Sequence, residues 1–148
     1  MDWRATFGLG CCMSNRARQW LLVLSVLSLS ACSTPDTTQA AQMVGRFHAA
    51  YNGGRIDLLA GMTSPAFRAA GGPGAFERMM DKVRAKLGKV RSAKQVNWRV
   101  NVGTGGATTL LQDDTVFERG KARESFVFVE DHGHPALNAY NINSPDLL

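Results

Sequence analysis

His132 and His134 flank a glycine beside Asp131, a spacing that could bring two imidazoles and a carboxylate to one metal ion. Gly133 and Pro135 in the same stretch are ordinary turn residues, and no third ligand of defined geometry follows from the spacing. A solvated turn is the better reading, and neither a metal nor another cofactor is expected. His48 and Tyr51 stand i, i+3 on a helical stretch, close enough to interact. His48 lies on the flank of an apolar stripe, which points to a boundary histidine rather than a base. Asp113, Asp114, Glu124 and Tyr140 fall in strand-like segments and are the candidate polar residues of a pocket. Consecutive strand residues face opposite ways, so Asp113 and Asp114 cannot both turn inward. Proton transfer needs a partner and a perturbed environment. The spacing supplies neither, so no catalytic residue is assigned.

The cysteines are Cys11, Cys12 and Cys32, so residues 33–148 hold none and cannot form a disulfide among themselves. Arg16 and Arg18 precede a short apolar run, residues 20–31 (WLLVLSVLSLSA), and small residues lead to Cys32. That order reads as an export signal. At 1.5 Å per residue the run is too short for a bilayer core of about 30 Å, so a permanent transmembrane helix is disfavoured. Leu29, Ser30, Ala31 and Cys32 resemble the lipobox of bacterial lipoproteins. The resemblance implies that residues 1–31 are removed, that the Cys32 thiol carries a diacylglycerol, and that the protein is anchored to a membrane outside the cytoplasm. Ser33 follows the cysteine where the resembled enterobacterial proteins retained at the inner membrane carry Asp. In a Gram-negative host this favours the periplasmic side of the outer membrane. The compact signal begins at Met13, which is a candidate true start, and residues 33–39 (STPDTTQ) read as a polar tether.

A single domain, residues 40–148, must position the candidate residues. Its apolar fraction is ordinary for a chain that buries one core, 45% hydrophobic against 20% charged over the whole sequence. Ala40, Met43, Val44, Phe47 and Tyr51 fall at helical spacing until Asn52-Gly53-Gly54 stops them. Residues 56–62 read as a second helix closed by Thr63-Ser64-Pro65. After the break at residues 70–74, Phe76, Met80, Val83 and Leu87 form the stripe of a third helix. Met79 and Met80 read as core filler. From Lys94 the period falls to two: Val96, Trp98, Val100 and Val102 alternate with polar residues and predict a half-buried strand. Further strands are expected over 108–118, 122–130 and 137–142, joined by tight turns. Three N-terminal helices followed by about four hairpin-connected strands make an α+β domain, with the helices packed on one face of an antiparallel sheet.

Charge is unevenly spread. Residues 78–100 carry eight Lys/Arg against Asp81, net +7, whereas residues 101–148 net −4. Arg78, Lys82, Lys86 and Lys89 fall within about 80° of one another at 100° per residue, opposite the apolar stripe. They are the candidate contacts for anionic lipid or an envelope polymer. Nucleic acid is not expected as a partner of an exported protein.

The segments GRIDLLAGMTSPAFR, FERMMDKVRAKLGKVRS and VFERGKARESFVFVEDHG, followed by LNAYNINS, resemble cystatin-like domains of bacterial lipoproteins, of the broad nuclear transport factor 2-like class. The similarity runs from about residue 40 to 144. It implies a strongly curved sheet wrapped round a helix, with a cone-shaped pocket and a sheet face open to homodimer formation. Such domains usually place Trp in the final hairpin about where this chain has Pro135, which implies a looser or differently packed last hairpin here. Steroid isomerases and dehydratases of the same class use pocket Asp, His or Tyr for proton transfer. The expected function is a membrane-anchored, non-enzymatic binding or interaction module. The alternative is a small-molecule enzyme or ligand carrier using the pocket.

Overall fold

The computed structural model describes residues 37–148. The expected export signal, the lipobox-like Leu29, Ser30, Ala31 and Cys32, and most of the expected tether lie outside the described residues. Helix α1, Thr38–Asn52, buries Ala40, Val44, Phe47, His48 and Tyr51, the face that the apolar spacing specifies. Helix α2 covers Ile56–Gly61. The stretch expected only to close it starts another helix, α3, Pro65–Gly71: the Ser64 hydroxyl accepts from the Phe67 amide at 3.0 Å, and Pro65 occupies the first turn. Helix α4, Ala75–Leu87, buries Met80, Val83 and Leu87. Among the described residues four α-helices therefore precede the sheet rather than three, and a 3-10 turn, Pro145–Leu147, follows it, so helical structure is not confined to the N-terminal half.

Strands β1 (Val90–Gly103), β2 (Gly106–Phe117), β3 (Gly120–Asp131) and β4 (His134–Asn143) pair in chain order as an open antiparallel meander. On β2 the odd residues Leu111, Asp113, Thr115 and Phe117 are buried, and on β3 the even residues Ala122, Glu124, Phe126 and Phe128. Asp113 opposes Glu124 directly in this register. One irregularity resets β4: Val127 pairs Ala139 and Phe128 pairs Leu137, leaving Asn138 as an extra residue. Leu137 and Tyr140 can then both turn inward. Asn138 accepts from the Ser64 hydroxyl at 2.7 Å, tying the bulge to the start of α3. The β4 edge is partly covered, because Leu137 exchanges backbone bonds of 2.8 Å with Met62 and Ser64.

Two expectations change. Strand β1 is the outer edge and is almost wholly exposed rather than half-buried: Val96 is 45% exposed, Trp98 51% and Val102 82%. Trp98 and Val102 pair with Leu111 and Ala107 on the helix-facing side. Alternation identifies that side correctly from Trp98 onward, whereas the irregularity between Gln95 and Asn97 turns Gln95, expected on the polar side, inward opposite Asp113; nor does alternation say whether the helices reach far enough to cover the strand. The last hairpin stays in register to its tip, with Glu130 opposite Pro135 and Asp131 opposite His134. His132 and Gly133 take φ of 50° and 79°, as a two-residue turn between twisted strands requires. Proline is tolerated because β4 is an edge strand.

The core joins Phe47, Leu59, Met80, Leu87, Leu111, Phe126 and Leu137, none more than 2% exposed. Polar groups lock its rim. Asn52 pairs both ways with the Val90 backbone, at 3.0 and 2.8 Å, as a neighbouring strand would. Tyr51 donates to Gly88 O at 2.8 Å, and Arg84 donates to Tyr51 O and Asn52 O. Arg119 donates to the carbonyls of Arg84, Ala85 and Lys86 in the last turn of α4, where Arg84 O also accepts from the Gly88 amide at 3.0 Å.

Candidate functional site

The inward faces of β2 and β3 deliver two carboxyl groups beneath α1, and the fold treats them differently. Glu124 is 1% exposed and fully engaged. Its Oε2 accepts from Thr115 Oγ1 at 2.5 Å and lies 2.9 Å from His48 Nε2, while its Oε1 accepts from Tyr140 at 2.5 Å. Three elements thus converge on one side chain: α1 supplies His48, β2 Thr115 and β4 Tyr140. Burial, then the neighbouring Glu124, push the Tyr140 hydroxyl well above the usual tyrosine value, so it stays a neutral donor. Among the described residues no fully buried side-chain polar atom lacks a hydrogen-bond partner.

Asp113 is 6% exposed, and no hydrogen bond from a described residue reaches its carboxyl. Burial raises its pKa above the ordinary 3.8, against an opposing pull from His48. Asp114 turns to the outer face and pairs with Arg123 at 2.9 Å. Of the four candidate pocket residues, the fold gathers Asp113, Glu124 and Tyr140 and sends Asp114 away. His48, expected at a boundary, is 9% exposed and sits at the centre of the cluster. Thr115 was not anticipated. Its i+2 offset from Asp113 on a strand is a signal that would have placed it on the same face.

A separate open pocket of about 780 Å3 lies where α3, the loop after it and the start of α4 stand away from β4. Phe67, Phe76, Met79 and Tyr140 form its aromatic and apolar wall, and the Phe67 and Phe76 rings meet edge-on at 5.2 Å. Arg68 and Glu77 add charge, with the Arg68 guanidinium already donating to Thr63 O. The space exists because residues 69–75 (AAGGPGA) carry almost no side-chain volume, a run whose composition signals a cavity as well as a chain break. Tyr140 stands between this pocket and the buried cluster, and its hydroxyl is committed to Glu124. From Tyr140 the pocket therefore receives an aromatic face rather than a free hydroxyl.

The basic set is exposed at Arg78, Lys82, Lys86 and Lys89. Lys89 lies beyond the end of α4, so the helical angle does not apply to it. His132 and His134 are exposed at the β3–β4 tip, and among the described residues no group of three metal-ligating side chains forms. Nor is any described helix long and apolar enough to cross a membrane. The chain matches no protein-family model and no curated protein.

Proposed function

We propose that the protein is a lipid-anchored, extracytoplasmic module with a cystatin-like fold that binds a small apolar ligand in the pocket between α3 and α4 and does not transform it. The observation that carries this reading is the position of Tyr140, which presents its ring to an apolar pocket while Glu124 occupies its hydroxyl. A volume of about 780 Å3 suits a ligand of drug or lipid-fragment size. Apolar burial at roughly 25 cal/mol per Å2 drives binding without any titrating group. The lipobox-like Leu29, Ser30, Ala31 and Cys32 support anchoring, and the exposed Arg78, Lys82 and Lys86 on α4, with Lys89 just beyond it, support contact with an anionic lipid surface.

The test is titration of the purified protein with 1-anilinonaphthalene-8-sulfonate, a dye that brightens in apolar pockets. Ala69→Trp places a large ring in the pocket from α3, and Ala85→Trp places the same ring on an exposed α4 position outside it. Saturable binding that Ala69→Trp weakens at least tenfold and Ala85→Trp leaves unchanged is the expected result. Equal binding by both variants would refute the pocket as the site.

A further inference from the structure

A groove of about 350 Å3 runs between α1 and the β1–β2 ladder, on the other side of the buried cluster from the apolar pocket. Val44, Ala93 and Leu111 form its apolar walls, and His48, Gln95 and Asp113 its polar lining. Three features distinguish it from a packing defect. Asp113 is buried to within 6% and lines the groove without a hydrogen bond from any described residue. Since no fully buried side-chain polar atom among the described residues lacks a partner, the Asp113 oxygens open onto the groove, where a donor on a ligand can reach them. No Lys or Arg lines the groove, although the adjacent β1 carries Arg91, Lys94 and Arg99. Finally, Gly45 interrupts the groove wall in the interior of α1, and nothing lies within 4 Å of where its side chain would be. Glycine is the poorest ordinary helix former apart from proline. Without a side chain at this position the groove mouth stays open.

We propose that this groove is a second binding site, taking a small protonated amine whose ammonium group pairs with Asp113. The amine supplies three donors, enough for the Asp113 carboxyl and for the Gln95 carbonyl on the facing strand, since Gln95 and Asp113 are register partners. His48 is not the counter-ion's partner, because its Nε2 faces Glu124. A metal ion fits poorly, for no three-ligand group forms there among the described residues. An anion would meet Asp113 with Glu124 behind it and no cationic Lys or Arg. The carbon body of the amine rests on Val44 and Leu111, and Trp98, paired with Leu111 on the same face and half exposed, offers an aromatic border suited to a cation. Burial holds the Asp113 pKa up, with His48 opposing and Glu124 and Asp114 adding to it; a bound cation favours its ionised form.

The experiment uses three isosteres of different charge, benzylamine, benzyl alcohol and benzoate, titrated at neutral pH into the 15N-labelled full chain with backbone amide shifts as the readout. Saturable shifts at Gly45, Ala93 and Gln95 are expected with benzylamine, at least tenfold weaker binding with the alcohol, and weaker still with benzoate. Asp113→Asn should weaken benzylamine about tenfold and erase its advantage over the alcohol, while Asp114→Asn leaves both unchanged. Gly45→Trp fills the groove mouth from a position with free space around it and should abolish binding with an undiminished melting temperature, so loss of binding is separable from loss of fold. A parallel titration with Nα-acetyl-lysine methylamide assigns the ammonium to a peptide lysine if tighter than benzylamine and to a free small amine if weaker; Asp113 is the counter-ion in both cases. Equal affinity for the three isosteres, wild-type binding by Asp113→Asn, or shifts confined to Ala69 and Met79 in the other pocket would overturn the proposal. None of these outcomes bears on dye binding at α3, so the two sites fail independently.

Discussion

Replacing Glu124 tests the centre of the fold most directly. Glu124→Ala removes an acceptor shared by Thr115, Tyr140 and His48, each in a buried or mostly buried position. A buried polar group stripped of its partner costs about 1–3 kcal/mol. Three such groups at the lower end, with the lost side-chain packing, place the penalty at about 4 kcal/mol, a large share of the roughly 5–15 kcal/mol that holds an ordinary domain together. With a urea slope of about 1–3 kcal/mol per M, the unfolding midpoint should fall by about 2 M. Glu124→Gln keeps the shape, one acceptor and a donor able to meet His48, and should lose about 1–2 kcal/mol. Asp114→Ala, whose carboxylate is half exposed beside Arg123, should stay within about 0.5 kcal/mol of wild type. Urea unfolding followed by far-ultraviolet circular dichroism measures all three. A further variant separates orphaned partners from lost volume. Glu124→Leu combined with Thr115→Val and Tyr140→Phe removes two of the three groups that would be stranded, leaving His48, and should recover about half of the loss. If Glu124→Ala unfolds at the same midpoint as Asp114→Ala, the cluster contributes nothing to stability and its bonds are incidental.

Asp113→Asn should stabilise the protein at neutral pH. Burial raises the folded-state pKa above the unfolded value near 3.8, so the folded chain binds the extra proton between the two, and wild-type stability falls as pH rises through that window. The variant's advantage in melting temperature should be present at pH 7 and vanish below about pH 3.8; an advantage constant with pH would refute the burial argument. Gly88→Ala should cost about 1–3 kcal/mol, because Gly88 has φ of 78° and an added methyl would lie 2.6 Å from Glu118 Oε2; chemical denaturation checks it. Cys32→Ala should block lipidation and processing, read as loss of the acyl mass increment in membrane fractions by intact-mass analysis. Changing Arg78, Lys82, Lys86 and Lys89 together to Gln should abolish the salt-sensitive part of co-sedimentation with anionic vesicles, and equal sedimentation with neutral vesicles would make the face ordinary solvated surface.

Periodicity made the α+β order and the inward faces of α1 and α4 legible, because one-sided burial leaves a period in the sequence. What it could not carry was everything that depends on a third body. A further helix, α3, followed the second because Ser64 and Pro65 read equally as a stop and as a start. The exposure of Trp98 and Val102 depends on how far α1 reaches across the sheet, a tertiary distance with no local trace. The choice between Asp113 and Asp114 needed a face, and Leu111 and Phe117, both buried and both odd-numbered, could have supplied it. Tyr140 escaped simple alternation because the extra residue Asn138 resets β4.

The contrast between the two inward carboxyls is the strongest pointer to use. Glu124 and Asp113 face each other across β2 and β3, share His48 as a neighbour, and are buried to similar degrees. A chain shaped by stability alone gains by treating them alike, either satisfying both or replacing the unsatisfied one, since an apolar residue of similar shape is close to neutral in such positions. Here one carboxyl is held by three side chains while the other, one strand away, is left facing a groove beside a helical glycine that nothing described requires. Residues that weaken a fold without local compensation concentrate where a ligand completes it. Asp113, rather than the better-bonded Glu124, is therefore the carboxyl whose removal should cost function while raising stability.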